Sequence, residues 1–368
     1  MDELRKIYIE PTNRCNLTCV TCIRNSWEEP FGDMDWSVYR ALIDGLVDFP
    51  EAKTIAFAGF GEPLFHERFP EMVRLAHERG LRTEMTSNAT LLTPSLAGSL
   101  VEAGLDQFTI SIDGTSDGSY GSIRPGASLE VITTNVRMLY HKSKKMREIP
   151  VRIGIEFVAM RRNIHELPTL QEIASQIRAS FILVTNLLPY TAELQDEILY
   201  SLEPTSYEGP GWTGNPLWIL PKMDWSQETR EPLSTIMRRR PNLSYLDINL
   251  NQRNNYCPFV QAGSLAVAWH GGVSPCPALL HSYTCYLRGW KKFFRRCEYG
   301  RLPEQSVREI WSNPEYVAFR ERVRKFEFSP CTDCGGCDDA ERNEVDCYGN
   351  LFPVCGDCLW ARGVLRCA

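Results

Sequence analysis

From residue 6 to about 190, short apolar runs alternate with longer stretches of helical period. The runs Lys6–Glu10, Thr54–Ala58, Arg82–Thr86, Gln107–Asp113, Val151–Ala159 and Phe181–Thr185 predict strands. Between them, 37–48, 68–79, 94–103, 128–142 and 164–178 predict helices. Apolar strands separated by amphipathic helices argue for βα units around a parallel sheet. In βα barrels, functional residues gather where strands end. The residues just past each run are therefore the place to look for chemistry.

The pattern breaks after 190. Residues 191–256 hold Pro204, Pro210, Pro216, Pro221 and Pro232, with Gly209, Gly211 and Gly214, and with Trp212, Trp218 and Trp225 interleaved. Proline and glycine at that density argue against long regular elements, and the aromatics argue against simple disorder. This predicts a connector packed on the first domain. Arg238-Arg239-Arg240 reads as a solvated basic face. The expected division is 1–190, a bridge at 191–256, and a small domain at 257–368.

Composition narrows the class. Of 368 residues, 43% are hydrophobic, enough for a substantial core. A net charge of −6 gives no electrostatic reason to expect a nucleic-acid partner. No apolar run approaches the ~18 residues of a membrane helix. Met1-Asp2-Glu3-Leu4-Arg5-Lys6 lacks the apolar core of a secretory signal, so a cytoplasmic location is expected. There, fourteen cysteines read as metal ligands more readily than as disulfides. Three lie at 15–22 and eleven at 257–368, with none between. Two metal-bearing regions flank a cysteine-free scaffold.

The first region follows the first strand: Cys15-Asn-Leu-Thr-Cys19-Val-Thr-Cys22. Such a loop can wrap three thiolates around three irons of a [4Fe–4S] cluster, leaving the fourth iron open. A zinc knuckle or a structural thiol cluster is the alternative. Gly59-Phe60-Gly61-Glu62-Pro63 follows the second strand. There glycine admits close backbone approach, and the carboxylate suits a cationic amine. Ser87-Asn88-Ala89-Thr90 follows the third strand, Ser111-Ile112-Asp113-Gly114 closes the fourth, and Arg124 lies beyond it. The fifth ends at Met160-Arg161-Arg162-Asn163 and the sixth at Asn186.

The C-x3-C-x2-C loop resembles the signature of the radical S-adenosylmethionine (radical SAM) superfamily, with Thr21 where an aromatic residue is usual. The resemblance implies an α/β fold, a partial (β/α)6 barrel, with a small cysteine-rich iron–sulfur domain behind it. It implies that Cys15, Cys19 and Cys22 hold a cluster whose open iron binds SAM, and that reduction releases a 5′-deoxyadenosyl radical. Gly59-Phe60-Gly61-Glu62-Pro63 resembles the family's GGEP motif, so Gly61 and Glu62 are expected at the SAM amino group. Asn88, Ser111, Asp113 and Arg124 are the further expected cofactor contacts. Met160, Asn163 and Asn186 are expected near the barrel mouth. No acid or base can be named: His66, His77, His141, His165, His270 and His281 are scattered.

The C-terminal cysteines resemble a SPASM extension, in the C-x13-G-x4-C of Cys257, Gly271 and Cys276 and in the Ile310-Trp311 helix before a cysteine cluster. That resemblance implies up to two auxiliary [4Fe–4S] clusters. The candidates are Cys257, Cys276, Cys331, Cys334, Cys337, Cys347, Cys355, Cys358 and Cys367, nine for at most eight positions. Spacing cannot partition them, and Cys285 and Cys297 lie outside the pattern. The tail around Cys347 and Cys355-Gly-Asp-Cys358 resembles the subgroup associated with tungsten-containing oxidoreductases. The expected function is therefore a radical SAM maturase acting on a cofactor, peptide or protein. Its expected reductant is a ferredoxin or flavodoxin. Modification of a ribosomal peptide or enzyme side chain is one alternative, and an iron–sulfur electron carrier is another. The carrier would need neither Gly61-Glu62-Pro63 nor the long α/β scaffold.

Overall fold

The computed structural model describes residues 3–200, 217–238, 242–244, 256–287, 289–329, 331 and 338–367. Trp212, Arg239, Arg240, Cys334 and Cys337 lie outside the described residues.

Six parallel strands form the heart of the sheet: β1 (Lys6–Ile9), β2 (Thr54–Phe57), β3 (Arg82–Ser87), β4 (Gln107–Ser111), β5 (Arg152–Ala159) and β6 (Ala179–Asn186). They pair in chain order, with Ile7 opposite Ile55 and Ile155 opposite Ile182. Alternation divides each strand. Ile7, Ile55, Phe57, Phe108, Ile110, Ile155, Phe157, Ile182 and Val184 pack in the main core. Tyr8, Thr86, Ser111, Glu156, Val158 and Thr185 line the cavity on the other side.

The intervening helices are α1 (Trp36–Gly45), α2 (Phe69–Glu78), α3 (Pro94–Ala103), α4 (Asp117–Ile123), α5 (Leu129–Met146) and α6 (Leu170–Ile177). Local chemistry sets their ends. Thr93 caps α3, with Pro94 in its first turn and left-handed Gly104 at its end. Ser128 caps α5. Helix α4 falls between the fourth strand and the helix expected at 128–142, where the sequence assigns no element. Ser116 caps it by accepting from the Ser119 N–H, and buried Tyr120 and Ile123 anchor it.

The sheet does not stop at β6. Strands β7 (Leu217–Ile219) and β8 (Asn242–Ser244) extend it in parallel, joined by α7 (Gln227–Arg238). Part of the expected irregular connector is thus regular structure. Fully buried Trp218 anchors β7, and α7 tolerates Pro232 inside it. At the opposite edge the C-terminal region joins the same sheet. After the short α8 (Pro258–Gln261), β9 (Ser264–Val267) pairs parallel to β1; β10 (Gly272–Ser274) and β13 (Gly300–Arg301) follow antiparallel. Strands β11 (Tyr283–Leu287) and β12 (Trp290–Phe294) form a separate hairpin. Helices α9 (Val307–Trp311) and α10 (Pro314–Lys325) complete the domain, α9 opening on a Ser306/Glu309 capping box. No helix among the described residues is long and apolar enough to cross a membrane.

Candidate functional site

Past β1 the chain turns through Thr12-Asn13-Arg14 before Cys15. This turn is stitched to residues 30–33. The Thr12 hydroxyl donates to the Gly32 carbonyl (2.8 Å), Asn13 Nδ2 to the Pro30 carbonyl (3.0 Å), and the Gly32 N–H to Asn13 Oδ1 (2.8 Å). The cysteine loop beyond is therefore held at its entrance.

All three of its thiols are free and line one cavity of about 300 Å³. Each sulfur has a donor beside it. The Leu17 N–H points at Cys15 Sγ (3.4 Å) and Arg24 Nε at Cys22 Sγ (3.3 Å), while Arg124 Nη1 lies 3.9 Å from Cys19 Sγ. Burial pushes the Cys15 and Cys19 thiols up, so deprotonation there needs a strong positive centre. Among the described residues no three His, Cys, Asp or Glu side chains converge on a point that one metal ion would occupy. A cubane asks for something else: each thiolate meets a different iron. Three donor-flanked thiols facing one cavity fit that requirement.

The Gly59–Pro63 loop lies directly against the turn before Cys15. A Cβ on Gly61 would stand 2.1 Å from the Thr12 carbonyl oxygen, so only glycine fits. The Glu62 N–H donates to the Arg14 carbonyl (2.8 Å). The Glu62 carboxylate is buried and accepts from the Leu64 N–H (3.1 Å), the Ser87 hydroxyl (2.7 Å) and the Asn88 N–H (2.8 Å). Burial raises its pKa against those donors. Glu62 thus clamps the end of β2 to the end of β3.

Asn88 reaches back to the cysteine loop, with Nδ2 3.1 Å from Asn16 Oδ1 and 3.7 Å from Cys15 Sγ. Ser111 and Arg124 line the cavity; Asp113 does not. Fully buried Asp113 accepts from Arg124 Nε (2.7 Å) and from the Val158 N–H (2.8 Å). It aims the guanidinium at Cys19. Asp113 raises the Arg124 pKa against the cost of burial, so that residue stays cationic. Met160 and Asn163 are buried away from the cavity, where Asn163 Nδ2 donates to the Asp113 and Val158 carbonyls (2.9 Å each). Asn186 does line the cavity, and its Nδ2 holds the Val364 carbonyl (2.8 Å).

Four residues outside the motifs that follow the strands complete this end of the molecule. Glu156, opposite Ser111 across β4 and β5, lines the cavity. Burial, helped by Asp113, pushes its carboxyl up to about 7. Trp360 and Cys367 come from the C-terminal tail, and both line the cavity. His281, from the C-terminal domain, bridges two carboxylates. Its Nε2 sits 2.8 Å from Glu10 Oε2 and its Nδ1 2.7 Å from Glu29 Oε2. Glu10 Oε1 accepts the Phe60 N–H (3.1 Å), and Trp27 packs on the imidazole at 4.1 Å. The two carboxylates overcome burial and hold the imidazolium up to about 9. This one histidine locks the C-terminal domain to both loops.

A second, apolar cavity is lined by Cys257, Cys276, Cys355 and Cys358, with Cys285 also on its wall. The first two precede the C-terminal hairpin and the last two lie in the tail. Burial pushes all four thiols up, and neighbouring thiols add to this for Cys257, Cys276 and Cys355. Cys331 and Cys347 stand outside that cavity; burial, with Cys347 among the nearby charges, raises the Cys331 thiol. Cys297 is buried under the core, its thiol pushed up to about 11.

Comparison with known proteins agrees with this geometry. Residues 9–156 match the radical SAM superfamily, and 257–338 match the SPASM iron–sulfur cluster-binding domain. A tungsten-containing aldehyde ferredoxin oxidoreductase cofactor-modifying protein of Pyrococcus furiosus is 30% identical over 99% of this chain and 97% of its own length. An AdoMet-dependent heme synthase of Methanosarcina barkeri is 26% identical over 96% and 94%. Streptococcus suis SuiB bound to S-adenosylmethionine shares the fold at a TM-score of 0.61 and 15% identity, over 91% of this chain and 71% of its own. The AdoMet-bound anSMEcpe does so at 0.60 and 16%, over 98% and 93%. The chain belongs to the radical SAM superfamily: it is an enzyme of that superfamily, with [4Fe–4S] clusters and S-adenosylmethionine as cofactors and a SPASM domain at its C-terminus.

Proposed function

We propose that this enzyme cleaves S-adenosylmethionine reductively and uses the resulting radical to modify a cofactor, in the maturation of a tungsten-containing oxidoreductase. The similarity along nearly the whole chain to a cofactor-modifying protein of that kind carries the reading. When bound, the cluster and SAM supply the radical chemistry; the protein supplies binding, orientation and shielding.

Cys15, Cys19 and Cys22 hold the SAM cluster. Arg24 and Arg124 offset thiolate charge from two sides. Gly61 lets the backbone approach the SAM amino group, and Asn88, Ser111 and the Asp113-aimed Arg124 complete the cofactor contacts. Glu62 lines the cavity as well, and its carboxylate fixes the Gly61 loop through Ser87 and Asn88. Cys257, Cys276, Cys355 and Cys358 hold one auxiliary cluster, because they share one cavity. Cys331 and Cys347, with Cys334 and Cys337, are left for a second. A ferredoxin or flavodoxin supplies electrons, in the cytoplasm.

The test is co-expression with a tungsten-containing aldehyde oxidoreductase. With the wild-type chain the oxidoreductase acquires activity; with Cys15→Ala it does not. Equal activity in both would sink the maturation reading. A second reading, modification of a peptide or protein side chain, draws on the fold shared with SuiB, solved with precursor peptide SuiA at a TM-score of 0.61. It would gain if a peptide, rather than a cofactor, changed mass in the reaction.

A further inference from the structure

Spacing groups Cys367 with the auxiliary cysteines, but the fold takes it elsewhere. The tail leaves the auxiliary cavity after Ala361 and runs to the reaction cavity. Four hydrogen bonds pin it: Asn186 Nδ2 to the Val364 carbonyl (2.8 Å), the Arg366 N–H to Thr185 Oγ1 (2.9 Å), the Lys222 N–H to the Gly363 carbonyl (3.1 Å) and the Tyr256 N–H to the Ala361 carbonyl (3.3 Å). Cys367 then stands in the wall of the cavity that holds Cys15, Cys19 and Cys22, in company with Tyr8 and Glu156. It is not part of the cavity of Cys257, Cys276, Cys355 and Cys358.

Its orientation is fixed. Trp360 Nε1 donates to Cys367 Sγ at 3.2 Å, and Trp360 lines both cavities. Cys367 is open to solvent, so its hydrogen exchanges with water, and a thiol keeps its S–H bond at neutral pH.

We infer that Cys367 is a reaction-cavity thiol that gives its S–H hydrogen atom to a carbon radical held there, and is not a cluster ligand. The inference rests on the SAM-cleaving reading above. An S–H bond is weaker than an alkyl C–H bond, so the transfer runs downhill. A C–H bond forms, the S–H bond breaks homolytically, and a thiyl radical remains on Cys367. One electron from the ferredoxin- or flavodoxin-class reductant and one proton from water restore the thiol. Trp360 lines both cavities and stands beside the sulfur. The substrate carbon ends with a hydrogen of solvent origin.

The test uses the reconstituted holoprotein in thiol-free D2O, reduced with titanium(III) citrate and given SAM alone. Two quantities are read: iron per chain, and deuterium in the released 5′-deoxyadenosine. With no other substrate, the wild type delivers deuterium from the exchanged Cys367 thiol. Cys367→Ser keeps wild-type iron and loses the label, because its O–H bond is too strong to give up hydrogen. Trp360→Phe removes only the N–H donor and keeps the label. An unchanged label in Cys367→Ser overturns the hydrogen-donor role. Loss of about four irons per chain in that variant overturns it too, by making Cys367 a cluster ligand. Failure of the wild type to release any 5′-deoxyadenosine is a different result. It removes the SAM-cleaving reading on which the inference stands.

Discussion

The two cysteine regions are built in opposite ways. Cys15, Cys19 and Cys22 come from eight consecutive residues after one strand, and backbone turns place them. Cys257, Cys276, Cys355 and Cys358 span about a hundred residues and meet only because α8, the C-terminal hairpin and the tail pack together. A contiguous site is robust to changes elsewhere in the chain. An assembled site depends on the packing of its whole domain. Loops such as that after β1 also suit chemistry that needs an open metal position, whereas four thiols closing an apolar cavity suit a fully ligated cluster.

The comparison can be broken most sharply at Arg124. Its guanidinium is nearly buried on fully buried Asp113, so Arg124→Ala leaves that carboxylate unpaired. The expected cost is about 3–5 kcal/mol, read by denaturant unfolding. A cost below that of an ordinary surface change would mean Asp113 has other support. Next come the assembled ligands. Cys355→Ala with Cys358→Ala should lower iron from about twelve to about eight per chain while leaving SAM binding intact. Loss of SAM binding along with iron would show that the two sites are not separable.

Gly61→Ala probes the contact between the two loops. The new Cβ meets the Thr12 carbonyl, at a cost of about 1–3 kcal/mol and with weakened SAM binding. Unchanged SAM affinity would dissociate that loop from the cofactor. The smallest effect concerns His281. Its folded pKa, about 9, lies above the ordinary 6.5. The stability it contributes is therefore complete below about pH 6.5 and is lost as pH rises through 9. Allowing for solvent at partly exposed Glu29, this amounts to about 2 kcal/mol. Thermal unfolding of the wild type should fall toward that of His281→Gln between pH 7 and 9. Parallel curves would contradict the imidazolium lock.

Legibility in the sequence follows the same divide. The six central strands were readable because short apolar runs alternate with stretches of helical period, and α3 because Thr93-Pro94 and Gly104 mark its ends. The cysteine loop and Gly61-Glu62-Pro63 were readable because their chemistry is packed into short spacings. Strands β7 and β8, three residues each, are too short to carry a period. Helix α4 contains Gly118 and Gly121, poor helix formers that hide it. His281 and Glu156 act through partners from distant parts of the chain, so no spacing could announce them, and the spacing that named Cys367 grouped it with the auxiliary cysteines rather than with the reaction cavity. Glu62 shows the converse limit: the motif locates the residue, but only the fold shows its carboxylate turned onto Ser87 and Asn88.

The central claim is that the contiguous cysteine loop, and not the assembled one, runs the reaction. The most direct test is 5′-deoxyadenosine release from SAM by the anaerobically reconstituted, reduced protein. It is compared with the Cys15→Ala/Cys19→Ala/Cys22→Ala variant. Release by the wild type that vanishes in the variant, with the auxiliary iron retained, is the predicted result. Release that survives in the variant would contradict the account.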